Sequence, residues 1–158
     1  MSEILVIGGA GYIGSHLILK LIETNQKFFV LDNLSTGKIN SIPKKSLYHG
    51  CMSDTDLLNV IFKKHQISTV ILLAGSVDVA ESVINPANYY LNNVANTLKL
   101  LDSMIHHNIK NIIFSSTAAV FGDLNNKAVS IDSSKNLITP NAKSKLMIET
   151  ILNDFIKD

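Results

Sequence analysis

The chain has 158 residues, 46% of them hydrophobic and 17% charged, the proportions of one soluble α/β domain with a buried core. A net charge of +1 offers no basic face to nucleic acid, and the lysine pairs Lys44-Lys45 and Lys63-Lys64 are too short to hold a polyanion. No apolar stretch reaches membrane-spanning length and the N-terminus lacks a signal-peptide pattern, so no membrane partner and a cytoplasmic location are expected; the one cysteine, Cys51, excludes an internal disulfide, and the five histidines do not sit at metal-ligand spacings.

The first element is an apolar strand over residues 3 to 8, containing Ile4-Leu5-Val6-Ile7. It runs into the ladder Gly8-Gly9-Ala10-Gly11-Tyr12-Ile13-Gly14 and then into a helix over 12 to 25 with Leu17, Ile18, Leu21 and Ile22 on one face. A strand turning sharply into a helix through glycines lets free helix-end amides face a pyrophosphate at close range. Glycines alone are weak evidence, but the strand before and the helix after complete a dinucleotide fingerprint. A second strand, 27 to 31, ends in Asp32, placed to accept hydrogen bonds from the adenosine ribose. The alternative is that Asp32 only opens the turn Asp32-Asn33-Leu34-Ser35. A carboxylate there repels a 2′-phosphate, and all fourteen basic residues are lysine, so no arginine can clamp one; NAD is favoured over NADP.

Further strands are read at 46 to 49, 69 to 73 and 111 to 115, and helices at 54 to 65 and 86 to 108. This alternation implies a parallel sheet wrapped by helices. Ser53 or Asp54 caps the second helix, and Asn85-Pro86 opens the third with proline in its first position. The third helix carries Tyr90, Leu91, Val94, Ala95, Leu98, Leu101, Met104 and Ile105 on more than one stripe, so it meets something besides the sheet. His106 and His107 close it, where imidazoles suit the dipole. After Ser115-Ser116-Thr117 comes a polar stretch, Asp123 to Pro140, without periodicity, and then a last helix over about 142 to 156.

Five segments together carry a resemblance: Gly8 to Gly14, Asp32-Asn33-Leu34-Ser35, Ala80-Glu81-Ser82-Val83, Tyr89-Tyr90-Leu91-Asn92-Asn93-Val94, and Lys143-Ser144-Lys145-Leu146-Met147-Ile148-Glu149. Over essentially its whole length the chain resembles the N-terminal half of the UDP-glucose 4-epimerases, which are extended short-chain dehydrogenases/reductases. The resemblance implies a Rossmann-like parallel sheet of about five strands in the order 3-2-1-4-5, with helices on both faces. It also implies a single NAD-binding domain over residues 1 to 158, without the later strands and the C-terminal substrate domain. The NAD contacts so implied are Gly8, Gly11, Tyr12, Ile13, Gly14, Asp32, Asn33, Cys51, Met52, Leu73, Ala74, Gly75, Asn92 and Lys145. The family reaction moves a hydride from C4 of a UDP-sugar to NAD and returns it to the other face. Its proton goes to a tyrosine four residues before a lysine, with a Ser/Thr hydroxyl sharing the substrate hydrogen bond. Homodimerisation through the 86 to 108 and 142 to 156 helices is also implied.

On this chain the lysine is Lys145 and the hydroxyl is Thr117, but the tyrosine position holds Asn141. An amide orients a hydroxyl yet cannot take its proton, and such groups are worth roughly 10² to 10⁴ in rate. Lesser departures are Ile7 for a threonine, Cys51 for the aspartate that binds the adenine amino group, and Phe121 for a tyrosine. Bland alternatives stand beside each role: Thr117 as a turn cap, Asn92 as an exposed helix residue, Lys145 as a helix-face lysine, Ala74-Gly75 as a small-residue turn. Two functional expectations follow. One is an epimerase NAD-binding half with impaired chemistry and a poorly held UDP-sugar; the other is an inactive NAD-binding or structural remnant, or a module completed by a second chain. In either case Ile112-Ile113-Phe114 would form an apolar sheet edge.

Overall fold

The computed structural model describes residues 2–122, 130, 133 and 135–155. Most of the polar stretch between Asp123 and Pro140, and the end of the last helix at Ile156, therefore lie outside the described residues. The chain forms two compact units, Met1–Gly75 with Asn96–Ser115, and Ser76–Ala95 with Ser116–Asp158.

The first unit is built on five parallel strands: β1 (Glu3–Ile7), β2 (Phe28–Asp32), β3 (Leu47–His49), β4 (Ile67–Leu72) and β5 (Asn111–Phe114). Their order is β3-β2-β1-β4-β5, the order expected. Central β1 pairs on one side through Val6 with Val30 and on the other through Val6 with Ile71. Leu5, Val6 and Ile7 are all essentially without solvent exposure, as a strand covered on both faces requires. Helix α1 (Tyr12–Glu23) joins β1 to β2, packing Ile18 and Leu21 on Val6, Val30 and Ile71. Right-handed crossovers that run outward in the opposite direction, from β3 to β4 and from β4 to β5, put their helices on the other face. These are α2 (Thr55–Lys64) and α5 (Asn96–His106), which pack on each other and bury Leu58, Ile61, Phe62, Leu100, Leu101 and Met104.

The choice between Ser53 and Asp54 is decided for Asp54, whose Oδ1 accepts the Leu57 amide at 3.0 Å. β2 begins and ends one residue later than expected, so that Asp32 is its last residue. β4 begins two residues earlier, at Ile67.

The second unit holds α3 (Val79–Ile84), α4 (Pro86–Tyr89), a π-helix at Tyr90–Ala95, a 3-10 turn at Ala118–Phe121, and α6 (Pro140–Phe155). Two expectations are corrected here. The single helix expected over 86 to 108 is three elements ending at His106, with Pro86 at the start as foreseen; the π turn adds a residue per turn where Asn92 and Asn93 reach for Ser76. The last helix begins at Pro140, because Thr139 Oγ1 caps it by accepting the Ala142 amide at 3.3 Å, which places Asn141 inside its first turn. Helix α3 was not foreseen, since six residues are too few for a periodic signal. Its signature was the spacing of Asp78 and Glu81: the Asp78 carboxylate accepts the Glu81 amide at 2.9 Å.

Edge strand β3 is short, and side chains secure it. Tyr48 bonds His65 Nε2 at 2.7 Å, and the His65 ring stacks on Phe29 with centroids 3.5 Å apart. Burial drives the His65 pKa below its ordinary 6.5; Glu3, 3.8 Å away, opposes this and Lys64 adds to it. The folded state thus favours the neutral ring. Its stabilising contribution is complete above the unfolded value and is lost as pH falls below 6.5 through the folded one. Urea midpoints measured from roughly pH 7.5 down to 5 should therefore fall, and His65→Phe, which keeps a stacking face but cannot be protonated, should remove part of that fall.

Candidate functional site

In the first unit the glycine ladder leaves β1 at Gly8, which has φ +83° and donates its amide to Leu31 O at 2.9 Å. A Cβ on Gly8 would lie 2.5 Å from the Ala74 amide nitrogen, and one on Gly14 would lie 2.4 Å from Gly8 O. Both positions are closed to any side chain. Gly11 differs, because its Cβ would meet only Gly8 O, at 3.5 Å, and otherwise faces open space. Gly11 is the N-cap of α1, with no side-chain cap and no acidic residue in the first turn. Helix geometry leaves the first amides of α1 without acceptors in the helix. Tyr12 and Ile13 stand 83% and 61% exposed beside them. An open backbone cradle with uncapped amides at the positive end of a twelve-residue helix is suited to a diphosphate, and these residues fit a dinucleotide.

Asp32 is 8% exposed, and both its oxygens are engaged. Oδ2 accepts the Ala10 amide and Oδ1 the Leu34 amide, each at 2.8 Å. Leu34 has φ +57°, a conformation a leucine adopts only when held there. The carboxylate thus opens the Asp32-Asn33-Leu34-Ser35 turn. Each carboxylate oxygen keeps a second lone pair, so a ribose hydroxyl can still be accepted. Asn33 closes the same turn, its Oδ1 accepting the Ser35 amide at 3.1 Å. Lys38 N then bonds Ala10 O at 3.1 Å, folding the following loop onto the ladder. Past β3, Cys51 is half-buried and its sulfur accepts from Ser53 Oγ at 3.1 Å, while Met52 is buried. Past β4, the Leu73 and Ala74 amides both donate to Ile7 O, at 2.9 and 3.0 Å. This brings Leu73, Ala74 and the following Gly75 alongside the ladder.

The second unit gathers Asn92, Asn141 and Lys145, together with three residues that the sequence reading did not single out. Asn93, 2% exposed, grips the Ser76 peptide from both sides: Oδ1 accepts Ser76 N at 2.8 Å and Nδ2 donates to Ser76 O at 3.1 Å. Nδ2 also donates to Ser144 Oγ at 3.0 Å, and Ser144 Oγ donates to Asn141 O at 2.8 Å. Asn92 donates to Ser76 Oγ at 2.9 Å. The signal available was an asparagine pair set between the apolar Leu91 and Val94. Thr117 Oγ1 accepts the Ala119 amide at 3.2 Å and so caps the 3-10 turn, and its hydroxyl hydrogen remains able to donate.

Asn141 is 4% exposed, and its Nδ2 donates to Val77 O at 3.3 Å, while its buried Oδ1 has no hydrogen-bond partner. Lys145, one turn further on, is also 4% exposed, which removes the reading of a solvent-facing helix lysine. Burial lowers its pKa from 10.5 to about 8. Tyr89 offers no substitute base. It is fully buried, donates to Asp78 O at 2.6 Å and to Glu81 Oε2 at 3.2 Å, and burial followed by the Glu81 hydrogen bond raises its pKa. Near the start of the 3-10 turn, Ser116 Oγ bonds Glu149 Oε1, and Lys135 Nζ bonds Glu149 Oε2 at 2.6 Å. Burial pushes the Glu149 carboxyl up, but these two hydrogen bonds and the Lys135 charge outweigh it and hold the carboxyl below its ordinary value. Among the described residues no group of His, Cys, Asp and Glu could hold a metal ion, and no helix is long and apolar enough to cross a membrane.

A ladder shaped for a diphosphate, on a 3-2-1-4-5 parallel sheet, defines a Rossmann-like nucleotide-binding protein. More narrowly, the chain belongs to the NAD dependent epimerase/dehydratase family, whose profile matches residues 4–158. It is 49% identical over 120 residues to the UDP-glucose 4-epimerase of Halalkalibacterium halodurans, covering 76% of this chain and 36% of that protein. To the UDP-glucose 4-epimerase of Yersinia enterocolitica it is 42% identical over 166 residues, covering 97% of this chain and 48% of that one. Among solved structures, UDP-glucose 4-epimerase from Brucella ovis in complex with NAD superposes with a TM-score of 0.93 at 36% identity, over 98% of this chain and 48% of that one. The chain thus spans half or less of the length of these relatives.

The Lys145 amine makes a prediction with a definite sign. Its folded pKa lies below the unfolded value, so the folded state bears the cost of a buried ammonium below about pH 8. That cost is relieved as pH rises towards the unfolded value of roughly 10.4. The free energy of unfolding should therefore rise as urea denaturation is repeated from roughly pH 7 towards pH 10, and Lys145→Met should flatten that rise.

Proposed function

We propose that the chain is the NAD-binding domain of a UDP-glucose 4-epimerase-like protein, with its proton-transfer chemistry impaired. The observation that carries the binding half of this reading is the uncapped N-terminus of α1 over the open Gly11 cradle. In this reading the α1 amides hold the diphosphate, Asp32 accepts from the adenosine ribose, and Cys51 and Met52 flank the adenine without a charged acceptor. Lys145 binds the nicotinamide ribose, and Thr117 orients the reacting hydroxyl. Bound NAD would supply the hydride acceptor.

The impairment rests on Asn141. Its amide is turned to Val77 O and cannot accept a proton at neutral pH, while the Tyr89 phenol is held protonated among Asp78 and Glu81. The relatives' names support a UDP-sugar as the family substrate. We place most of the sugar's binding energy in the half of those proteins that this chain does not match, so that the sugar is poorly held here. Exposed Leu91, Leu98 and Ile105, and Met147 on α6, support a homodimer through the 86–108 and 142–156 segments.

Calorimetric titration of NAD⁺ into the folded chain tests the binding half. Saturable binding is expected, weaker than a fully furnished site gives, because the Cys51 position lacks a carboxylate; no heat at millimolar NAD⁺ would refute it. For the chemistry, neither the chain nor its Asn141→Tyr variant should interconvert UDP-glucose and UDP-galactose. Turnover by that variant alone would show that the missing phenol, rather than the unmatched half, limits the reaction.

A further inference from the structure

Glu149 lies on α6 one turn beyond Lys145 and two turns beyond Asn141. Its two oxygens serve different segments. Oε1 takes the Ser116 hydroxyl, and Ser116 is the residue immediately before Thr117. Oε2 takes Lys135 Nζ at 2.6 Å. Lys135 in turn precedes Asn136, whose amide donates to Val120 O at 3.0 Å. The Asn136 carbonyl also abuts Gly122, at φ +67°, where a Cβ would lie 2.3 Å from that oxygen. One carboxylate therefore joins the turn that carries Thr117, the point at which the chain returns to that turn, and the helix that carries Asn141 and Lys145.

An ion pair whose side chains are 41% and 28% exposed contributes little to overall stability. What a carboxylate with two separate partners does supply is geometry, because it fixes two approaching segments at once. The backbone on which Thr117 stands has its own local bond, from Ala119 N to Thr117 Oγ1. That bond sets the turn but does not tie it to α6. The Ser116 to Glu149 bond makes the tie with a side chain adjacent to Thr117.

We infer that Glu149 is a positioning residue: through Ser116 and Lys135 it sets Thr117 against the Lys145 face of α6, and so shapes the end of the site that receives the nicotinamide riboside. This inference rests on the reading that the chain binds NAD through Lys145. It separates Glu149 from a merely structural residue, because a general loosening weakens every part of a dinucleotide alike. Loss of the clamp weakens only the part beyond the diphosphate.

The test compares NAD⁺ with ADP, which lacks the nicotinamide riboside, by calorimetry at one ionic strength. The proteins are the unaltered chain, Glu149→Gln, Ser116→Ala and Lys135→Met, each checked for folding by circular dichroism and thermal melting. The expected result is a several-fold loss of NAD⁺ affinity in Glu149→Gln and Ser116→Ala, with ADP affinity unchanged and a smaller loss in Lys135→Met. Equal losses for NAD⁺ and ADP, or no loss for either, would overturn the inference, and the two remote variants keep it open to refutation if Glu149→Gln fails to fold. If the unaltered chain binds neither nucleotide, the NAD reading falls and the inference with it. ADP binding without any added affinity for NAD⁺ overturns the role given to Lys145 and Glu149 alone.

Discussion

The Asp32 carboxylate is the tie on which the first unit's ligand-facing surface depends. It takes the Ala10 amide from the glycine ladder and the Leu34 amide from the turn after β2, two segments that lie beyond the ends of their strands. With Leu34 held at positive φ, the loop that follows folds back, and Lys38 bonds Ala10 from the other side. The ladder's shape is thus imposed from β2 as well as from its own glycines. A charged acceptor with two amide donors is worth more than a neutral pair, and its burial makes the geometry stiff.

The second unit achieves rigidity by a different route. Among its described residues there is no sheet, and the elements are short helices and turns around α6. Side-chain amides and hydroxyls replace the strand ladder as the joining groups. Asn93 imitates a neighbouring strand by bonding both groups of the Ser76 peptide, and it reaches Ser144 with its remaining hydrogen. Among the described residues, the buried side-chain polar atom left without a hydrogen-bond partner is Asn141 Oδ1. An orphaned buried acceptor costs free energy, and it falls at Asn141, the position where the resemblance implies a tyrosine.

How much of this was legible in the sequence follows the physics of each part. The five strands were readable because parallel strands covered on both faces leave nearly unbroken apolar runs, as in Leu5-Val6-Ile7 and Val70-Ile71-Leu72; their order followed from the family resemblance, since no run records its neighbour. Asp32 was readable through its place at a strand end. The roles of Asn93, Ser76 and Ser144 were not, since each depends on a contact across more than fifteen residues and none alters a periodicity. The π turn was hidden for the same reason. One extra residue in a helix leaves the apolar pattern almost intact, and its cause lies in Ser76 rather than in the helix. For α3 the capping pair Asp78 and Glu81 was present but stood before a run too short to read.

The sheet's middle strand is also the first to be made. β1 must find one neighbour in β2, some 25 residues on, and the other in β4, after residue 66. During synthesis it therefore leaves the ribosome with both rows of backbone groups unpaired, and one row stays so until β4 has emerged. For that interval an apolar run of four residues is an open template for other strands. Residues 8 to 72 are thus the stretch that must be made before Ile4-Leu5-Val6-Ile7 can be paired on both sides.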